Sequence, residues 1–591
     1  MCADLKLLKV DLGKRSIEIS PLALESIRDY IGGRGLGAHL LYAAGRHLGE
    51  PLSPDTPVII TPGALAGTGA PSSSRTSLTS ISPLTGTIFE SNSGGRAGIM
   101  LRRAGFAALW IEGLSEEPLS LVIDEGGVRF FDAAPLSGLG NKETRSRLLS
   151  EVGPKHSVLS IGPAGERSSL IANVCHDGRF FGRGGVGALF GAKNLKAIAF
   201  HGEGVVPLAN KDAFDFVVGE AKKLISAHPI TSKGLPQFGT AVLMNVMNCK
   251  EALPVRNFRD SSFEGASRIS GEAVRDNILS GRHSCFGCSI ACGRTVKVDG
   301  VEIEGPEFET LWAFGAALGL SDLTGVVRLN AKANDLGIDT ISAGSTIAAA
   351  RELFDLGKLD WNPLDGGLDG LLTLVEEMAL GKGRGAELGD GSSVFSKKKG
   401  YGGVSMTVKG MELPAYDPRG CQGQGLAYAT STRGGCHLRA YMIAPEILAA
   451  PKLVDRFSSS GKAGLVIVSQ NLNAAVDSLG MCRFTSFALK DDYYARLLRA
   501  ATGQEIDGQG LMSVGERIYN VERLANIERG FTRKDDTLPK RLLEEPHQVG
   551  ALKGRVVSLE EMLDEYYRFR GWDSEGTPTG VKLESLGLGK G

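Results

Sequence analysis

Between Met1 and about Gly204 the apolar residues come in short runs. VIITPGAL, RTSLTSISP, LSLVIDEGGVRFF and NLKAIAFHG are rich in β-branched residues and end at Gly or Pro, the pattern of strands and tight turns. Two segments in this region have helical character, around GAHLLYAAGRHL and around NKETRSRLLSEVG. Beyond Pro207 the period changes. NKDAFDFVVGEAKKLISAHP has the spacing of an amphipathic helix, with Asn210 placed to cap it and Pro229 to stop it. ISAGSTIAAARELFDLG, LDGLLTLVEEMALGKG, GERIYNVERLANIERG and SLEEMLDEYYRFRGW are also helical. LGDGSSVFSKKKGYGG, polar and Gly-rich, reads as a loop or a domain seam. The pattern predicts an α+β chain: a β-rich domain over 1–205, a mainly helical domain over 206–404 and a second over 405–591.

No long repeat is visible, but a short echo is. NDLGID at 334–339 and DSLGMC at 477–482 share a form that ends on an acid in one copy and a cysteine in the other.

Composition changes the picture little. Of 591 residues, 42% are hydrophobic and 23% charged, ordinary for a globular protein, and the length suits several domains. The 80 glycines are an excess, which suggests backbone packed closely against something bulky. A net charge of −1 without long runs of one sign does not point to nucleic acid or a membrane surface. No leader-like or membrane-spanning apolar stretch is evident. Nine cysteines in so large a chain suggest a reducing cytoplasm, with thiols as metal ligands or core residues.

The candidate chemistry begins at SCFGCSIACGR. Cys285, Cys288 and Cys292 form a C-x2-C-x3-C array. Zinc sites pair two such knuckles or add histidines at set spacing, and His283 is badly placed to close one here. A [4Fe–4S] cluster takes closely spaced thiolates from one loop and a distant fourth, and the small neighbours Gly287, Ser289, Ala291 and Gly293 let backbone wrap it. For the fourth thiol, Cys2 lies at the chain's end and Cys249 reads as core. Cys421, Cys436 and Cys482 stay open on local grounds.

Taken with TPGALAGTGAPSSSRTSLTSISPLTG, SNSGGRAG, GRFFGRGGVGALFGAKNLKAI, FTRKDDTLPKRLLEEP and YYRFRGWDSEGTPTGVKLESLGL, the cysteine array and the echo pair resemble the tungsten-containing aldehyde:ferredoxin oxidoreductases, in order and along the whole chain. The resemblance implies a tungsten (or molybdenum) ion held by two pyranopterins at the interface of the β-rich and helical domains. It also implies a nearby [4Fe–4S] cluster and a Mg2+ bridging the pterin phosphates. It supplies Cys482 as the fourth cluster ligand. It implies pterin contacts from Arg75, Asn92, Gly94, Arg179, Phe180, Gly182 and Arg183 in the first domain, with Mg2+ at the carbonyls of Asn92 and Phe180. From the helical domains it implies Asn334, Ile338, Asp339, Arg433, Arg439, Asp477 and Met481. Forked guanidiniums suit phosphate oxygens, and glycines let N–H groups approach. Asn334 stands where an aspartate is common and Arg439 where a lysine can occur. Asp339 is also placed to cap the helix after it.

Glu309, ahead of an apolar helix, and His437, in RGGCHLRAY, match the residues beside the metal. The implied activity is oxidation of an aldehyde to a carboxylic acid, with electrons passing to ferredoxin or to an iron–sulfur or flavin partner subunit, in a homodimer or hetero-oligomer. A catalytic subunit of an aromatic acyl-CoA reductase is the alternative. A non-catalytic electron-transfer subunit is a weaker one, since the arginines and both echoes are retained. Gly33-x-Gly35-x-Gly37 is a weak dinucleotide-like string of the wrong spacing.

Overall fold

The computed structural model describes residues 5–589; Cys2 lies outside them. Twelve strands build the N-terminal part: β1 (Lys6–Asp11), β2 (Ser16–Pro21), β3 (Val58–Pro62), β4 (Thr76–Ile81), β5 (Ile88–Ser93), β6 (Phe106–Glu112), β7 (Leu119–Asp124), β8 (Gly127–Asp132), β9 (Ser157–Ser160), β10 (Val174–His176), β11 (Arg179–Phe181) and β12 (Leu195–Phe200). They form two six-stranded sheets, ordered β2-β1-β6-β3-β4-β5 and β8-β7-β12-β9-β10-β11. Each strand of the second sheet is the counterpart of the strand numbered six lower in the first. β1 runs parallel to β6 as β7 does to β12, and the remaining neighbours are antiparallel in both. A long repeat is therefore present in the backbone where none is visible in the sequence. Sheet pairing needs only apolar alternation and turns, so the side chains have been free to differ. Asn92 pairs with Ser77 as Phe180 pairs with Cys175, so Asn92 and Phe180 occupy equivalent positions.

The sheets share one core. Val58, Ile60 and Leu109 of the first pack with Leu121, Leu159 and Ile198 of the second. The far face of the first sheet, through Ile59 and Trp110, packs on Ala38 and Leu41 of the helix Gly33–Ala43 and on Ala525. Burial on both faces explains why β3 opens on the continuous run Val58-Ile59-Ile60 rather than alternating, and Thr61 is satisfied by donating to Gly33 O at 2.8 Å.

The rest of the chain is mainly helical, giving an α+β fold. Helix Lys211–Ala227 begins as expected, with the Asn210 side chain accepting from Ala213 N at 2.9 Å. A three-stranded antiparallel sheet, Leu279–His283, Gly293–Val298 and Val301–Glu304, interrupts the helices. Its first hairpin pairs His283 with Gly293, so residues 284–292, with all three cysteines of the array, form the closing loop.

Two expectations fail. Ser392–Lys398 is a helix inside the stretch read as a loop. Phe395 is buried, and Ser392 N and Oγ both donate to the buried Glu412 carboxylate, at 2.8 and 3.0 Å. Its polar residues face inward to a partner, which composition hides. Cys249 is exposed at the end of helix Leu243–Cys249 rather than in the core. Among the described residues no single helix is long and apolar enough to cross a membrane.

Candidate functional site

The two echoes are the same backbone device. Helix Leu323–Leu336 ends at Gly337 (φ 79°) and helix Lys462–Leu479 at Gly480 (φ 74°), both left-handed, a geometry glycine adopts without strain. Each exit docks on an equivalent turn of the duplicated sheets. Asn173 N donates to Gly337 O (2.9 Å) and Asp339 N to Ile171 O (2.9 Å). Arg75 N donates to Gly480 O (2.9 Å) and Cys482 N to Ser72 O (2.8 Å). Asp339 caps the next helix, accepting from Ile341 N at 3.0 Å. Its counterpart Cys482 makes no such cap, which leaves its sulfur to the site.

Between these exits lies a cavity of about 320 Å3. It is lined by Cys285, Cys288, Cys292 and Cys482, by Arg75, Gly94, Arg179, Phe180, Gly182 and Arg183, and by Glu309, Asn334 and Asp339. The four cysteines are free thiols. Ser72 Oγ donates to Cys288 Sγ (3.2 Å) and Arg75 Nη2 to Cys482 Sγ (3.8 Å). A Cβ on Gly94 would stand 2.5 Å from Cys285 Sγ, so any larger residue would displace that sulfur. Burial pushes the Cys292 and Cys482 thiols up, so these sulfurs stay protonated until a cation meets them. Among the described residues no three His, Cys, Asp or Glu side chains converge on a single-ion position. That disfavours zinc, whose ligands crowd one point, and suits a larger inorganic core spanning the thiols.

The arginines are already engaged. Arg75 Nη1 donates to Asn92 Oδ1 (3.0 Å). Arg179 Nη1 meets Glu304 (3.0 Å) and Glu307 (3.1 Å). Arg183 pairs with Asp339 (3.0 Å) and donates to the carbonyls of Gly435 (3.0 Å) and Glu412 (2.8 Å).

The remaining expected residues do not line this cavity. Ile338 and Met481 are buried in the hydrophobic core beside the glycine exits. Asn92, Arg433, Arg439 and Asp477 form a second group behind Arg75. Asn92 Nδ2 donates to Asp477 Oδ1 (3.3 Å), and Arg439 Nη1 reaches Asp477 Oδ2 (3.5 Å) and Glu90 Oε2 (2.9 Å). Arg433 donates to the Glu90 carbonyl. Arg34 and Glu522 complete the group, bound to each other through two hydrogen bonds of 2.6 and 2.7 Å. Arg34, Glu90 and Glu522 were not singled out from sequence. An acid directly after Ile88 and Phe89 in β5 was the available signal for Glu90.

Glu309 sits in the first turn of helix Phe308–Phe314, one wall of the cavity. Its Oε2 accepts from Ala415 N at 3.0 Å, while Oε1 is buried with no partner. His437 is not a lining residue, but its Nε2 lies 3.7 Å from Glu309 Oε1, too far for a hydrogen bond, and its Nδ1 is also unpartnered. The unpartnered Glu309 Oε1 is a buried acceptor left for a further group. Tyr416 and Tyr441, also missed from sequence, pack on His437 with ring centroids at 5.5 and 6.2 Å. Burial raises the Glu309 carboxyl to about 7, against the opposing pull of Ala415 N–H and Arg183. Burial, and then the charges of Arg183, Arg483 and Arg433, hold His437 well below the usual imidazole range. Near neutrality the pair is a neutral imidazole beside a carboxyl that can hold or release a proton.

The family model "Aldehyde ferredoxin oxidoreductase, N-terminal domain" matches residues 7–202, and that for "domains 2 & 3" matches 217–588. The chain is 42% identical to the tungsten-containing aldehyde ferredoxin oxidoreductase of Pyrococcus furiosus over 99% of its own length and 98% of the relative's. Identity and coverage are the same for the enzyme of that name from Thermococcus kodakarensis. A Pyrococcus furiosus aliphatic sulfonate oxidoreductase, WOR-like subunit, is 26% identical over 99% of this chain and 97% of that one. Among solved structures, the active site complex BamBC of benzoyl coenzyme A reductase superposes with a TM-score of 0.86 at 26% identity, covering 100% of this chain and 97% of that one.

Proposed function

The chain belongs to the aldehyde ferredoxin oxidoreductase family, and from that premise we propose that its cavity carries out tungsten-dependent oxidation of aldehydes to carboxylic acids. The observation that carries the reading is the convergence of four free thiols, three arginines and Glu309, with His437 3.7 Å behind it, on one cavity between the two glycine exits. Cys285, Cys288, Cys292 and Cys482 hold a [4Fe–4S] cluster. The cradle of Gly94 and the turn at Gly287 (φ 68°) fit an object bulkier than an ion. Arg75, Arg179 and Arg183 would hold the pterin phosphates, and the equivalent carbonyls of Asn92 and Phe180 would serve Mg2+. Asn334, Asp339, Arg433, Arg439 and Asp477 hold the pterins from the helical side.

When bound, the tungsten dithiolene centre supplies a two-electron acceptor, and the cluster a one-electron exit to ferredoxin or a similar carrier. The chain's own residues handle protons and position. Aldehyde plus water gives acid, two electrons and two protons. Glu309 Oε1, free and raised to about 7, takes a proton from the water that provides the new oxygen. His437, held neutral, donates a hydrogen bond to the carbonyl oxygen through whichever ring nitrogen carries its proton. The faces of Tyr416 and Tyr441 keep bulk water from the pair. The site of action is the cytoplasm, where the described cysteines, all free, stay reduced.

An anaerobic assay with acetaldehyde or benzaldehyde and a viologen dye tests this. Dye reduction that requires aldehyde is the expected result. Dye reduction only with an aromatic acyl-CoA couple would move the chain to the chemistry named for its structural neighbour.

A further inference from the structure

The string GGRGLG, unsuited to a dinucleotide, has a different use. Gly33 (φ 41°) begins the helix Gly33–Ala43, and a Cβ there would stand 2.4 Å from Asp477 O. The glycine lets this helix butt its N-terminus against the C-terminal end of Lys462–Leu479, positive end to negative end. Gly35 N donates to Ser478 Oγ at 2.9 Å across the same junction. The residue between those glycines, Arg34, has no solvent exposure. Its guanidinium meets Glu522 through Nε (2.6 Å) and Nη2 (2.7 Å) and directs Nη1 at Asp477 Oδ2 (3.4 Å).

Three buried arginines, Arg34, Arg433 and Arg439, here balance three carboxylates, Glu90, Asp477 and Glu522. The junction at the other echo has the same shape, but its helix-end carboxylate, Asp335, is exposed. There the helix Asn141–Val152, counterpart of Gly33–Ala43 in the duplicated fold, meets the end of Leu323–Leu336. Its contacts are Asn141 Nδ2 donating to Asn334 O and Lys142 N donating to Asp335 Oδ1, both at 2.9 Å, and no arginine takes part in them. The two cofactor seats are alike in backbone and differ in how charge is arranged: the first has the Arg183–Asp339 pair, the second the group around Arg34 and Glu522.

From this geometry we infer that Arg34 is a positioning residue for the cofactor seat at the second echo: it fixes Asp477 and, through Glu522, the pair Arg433 and Arg439. The inference rests on the proposed function only in taking that seat to hold a pterin. The fork to Glu522 fixes the plane of the guanidinium, which leaves one N–H pointed at Asp477. Glu522 in turn accepts from Thr432 Oγ1 (2.6 Å), the residue before Arg433. One arginine therefore steadies both edges of the seat. Lysine, a point charge, cannot bind both acids in this way.

The test uses anaerobically purified holoprotein carrying Arg34→Met with Glu522→Met. Removing both partners leaves the remaining charges balanced and no buried ion unpaired, so the fold is retained. Thermal unfolding checks this directly. The expected result is a folded chain whose tungsten content, or turnover per tungsten, falls ~10- to 100-fold, the range for outer-sphere partners of a metal site. The tungsten paramagnetic resonance signal of any loaded fraction is shifted. Wild-type occupancy, turnover and signal in the double variant would overturn the inference, because Arg34 would then do no more than neutralise Glu522. If the double variant does not fold, Arg34→Lys decides by the same readings: altered occupancy or signal supports a positioning role, and wild-type values overturn it. Absence of tungsten from the wild-type chain would instead remove the functional reading, a separate outcome seen before any variant is made.

Discussion

Replacing Cys482 with serine is expected to strip the iron centre and abolish turnover. The thiol stands alone on the C-terminal side of the cavity, opposite three cysteines carried by one hairpin loop. It is held there by the Gly480 exit and by Cys482 N donating to Ser72 O. A serine oxygen at that place is shorter and harder, a poor match for iron that prefers thiolate. Iron should fall from about four per chain to three or fewer, with loss of the brown absorbance. The fold itself should survive, since Cys482 caps no helix and sits between elements anchored by their own contacts. Full iron content in this variant would move the fourth ligand to another cysteine. Buried Cys421 and Cys436 are less suited, because neither lines the cavity.

Glu309→Gln is expected to lower kcat by about 10²- to 10⁴-fold, the usual contribution of a positioned acid–base group. Glutamine keeps the acceptor for Ala415 N and loses only the ability to take a proton. The wild-type rate should rise with pH through about 7, as the carboxyl ionises, and the variant should lack this limb. The same substitution should stabilise the fold. A carboxyl raised from 4.5 to about 7 binds its proton more tightly folded than unfolded. Stability from this group is therefore present below pH 4.5 and lost as pH rises to about 7. Above that the ionised, buried group costs ~3 kcal/mol. Unfolding at pH 8 should shift upward in the variant, and at pH 4 should be unchanged. A loss of stability at pH 8 would show that Glu309 makes a contact its pocket needs, and would remove it as the proton carrier.

Much of this site was legible because its parts are local in sequence. The cysteine array needs only one loop, and each echo needs only a helix end, an αL glycine and the residues after it. Asn210 and Asp339 were readable as caps for the same reason. What stayed hidden is non-local. Arg34 meets Glu522 from opposite ends of the chain, and nothing near either residue marks the other. The duplicated sheets left no repeat in the sequence, because apolar alternation and turns suffice for pairing. The helix Ser392–Lys398 was missed because its serines answer to Glu412, a partner that sequence proximity does not reveal. Nothing near Tyr416 or Tyr441 in the sequence marks them; both are buried, and only their packing on His437 gives them a part in the site.

The central claim is that one cavity holds a heavy-metal pterin centre beside an iron–sulfur relay. Elemental analysis of the chain purified without air tests it most directly. The account predicts tungsten equimolar with the chain together with about four irons. A folded, colourless chain free of both tungsten and molybdenum would contradict it.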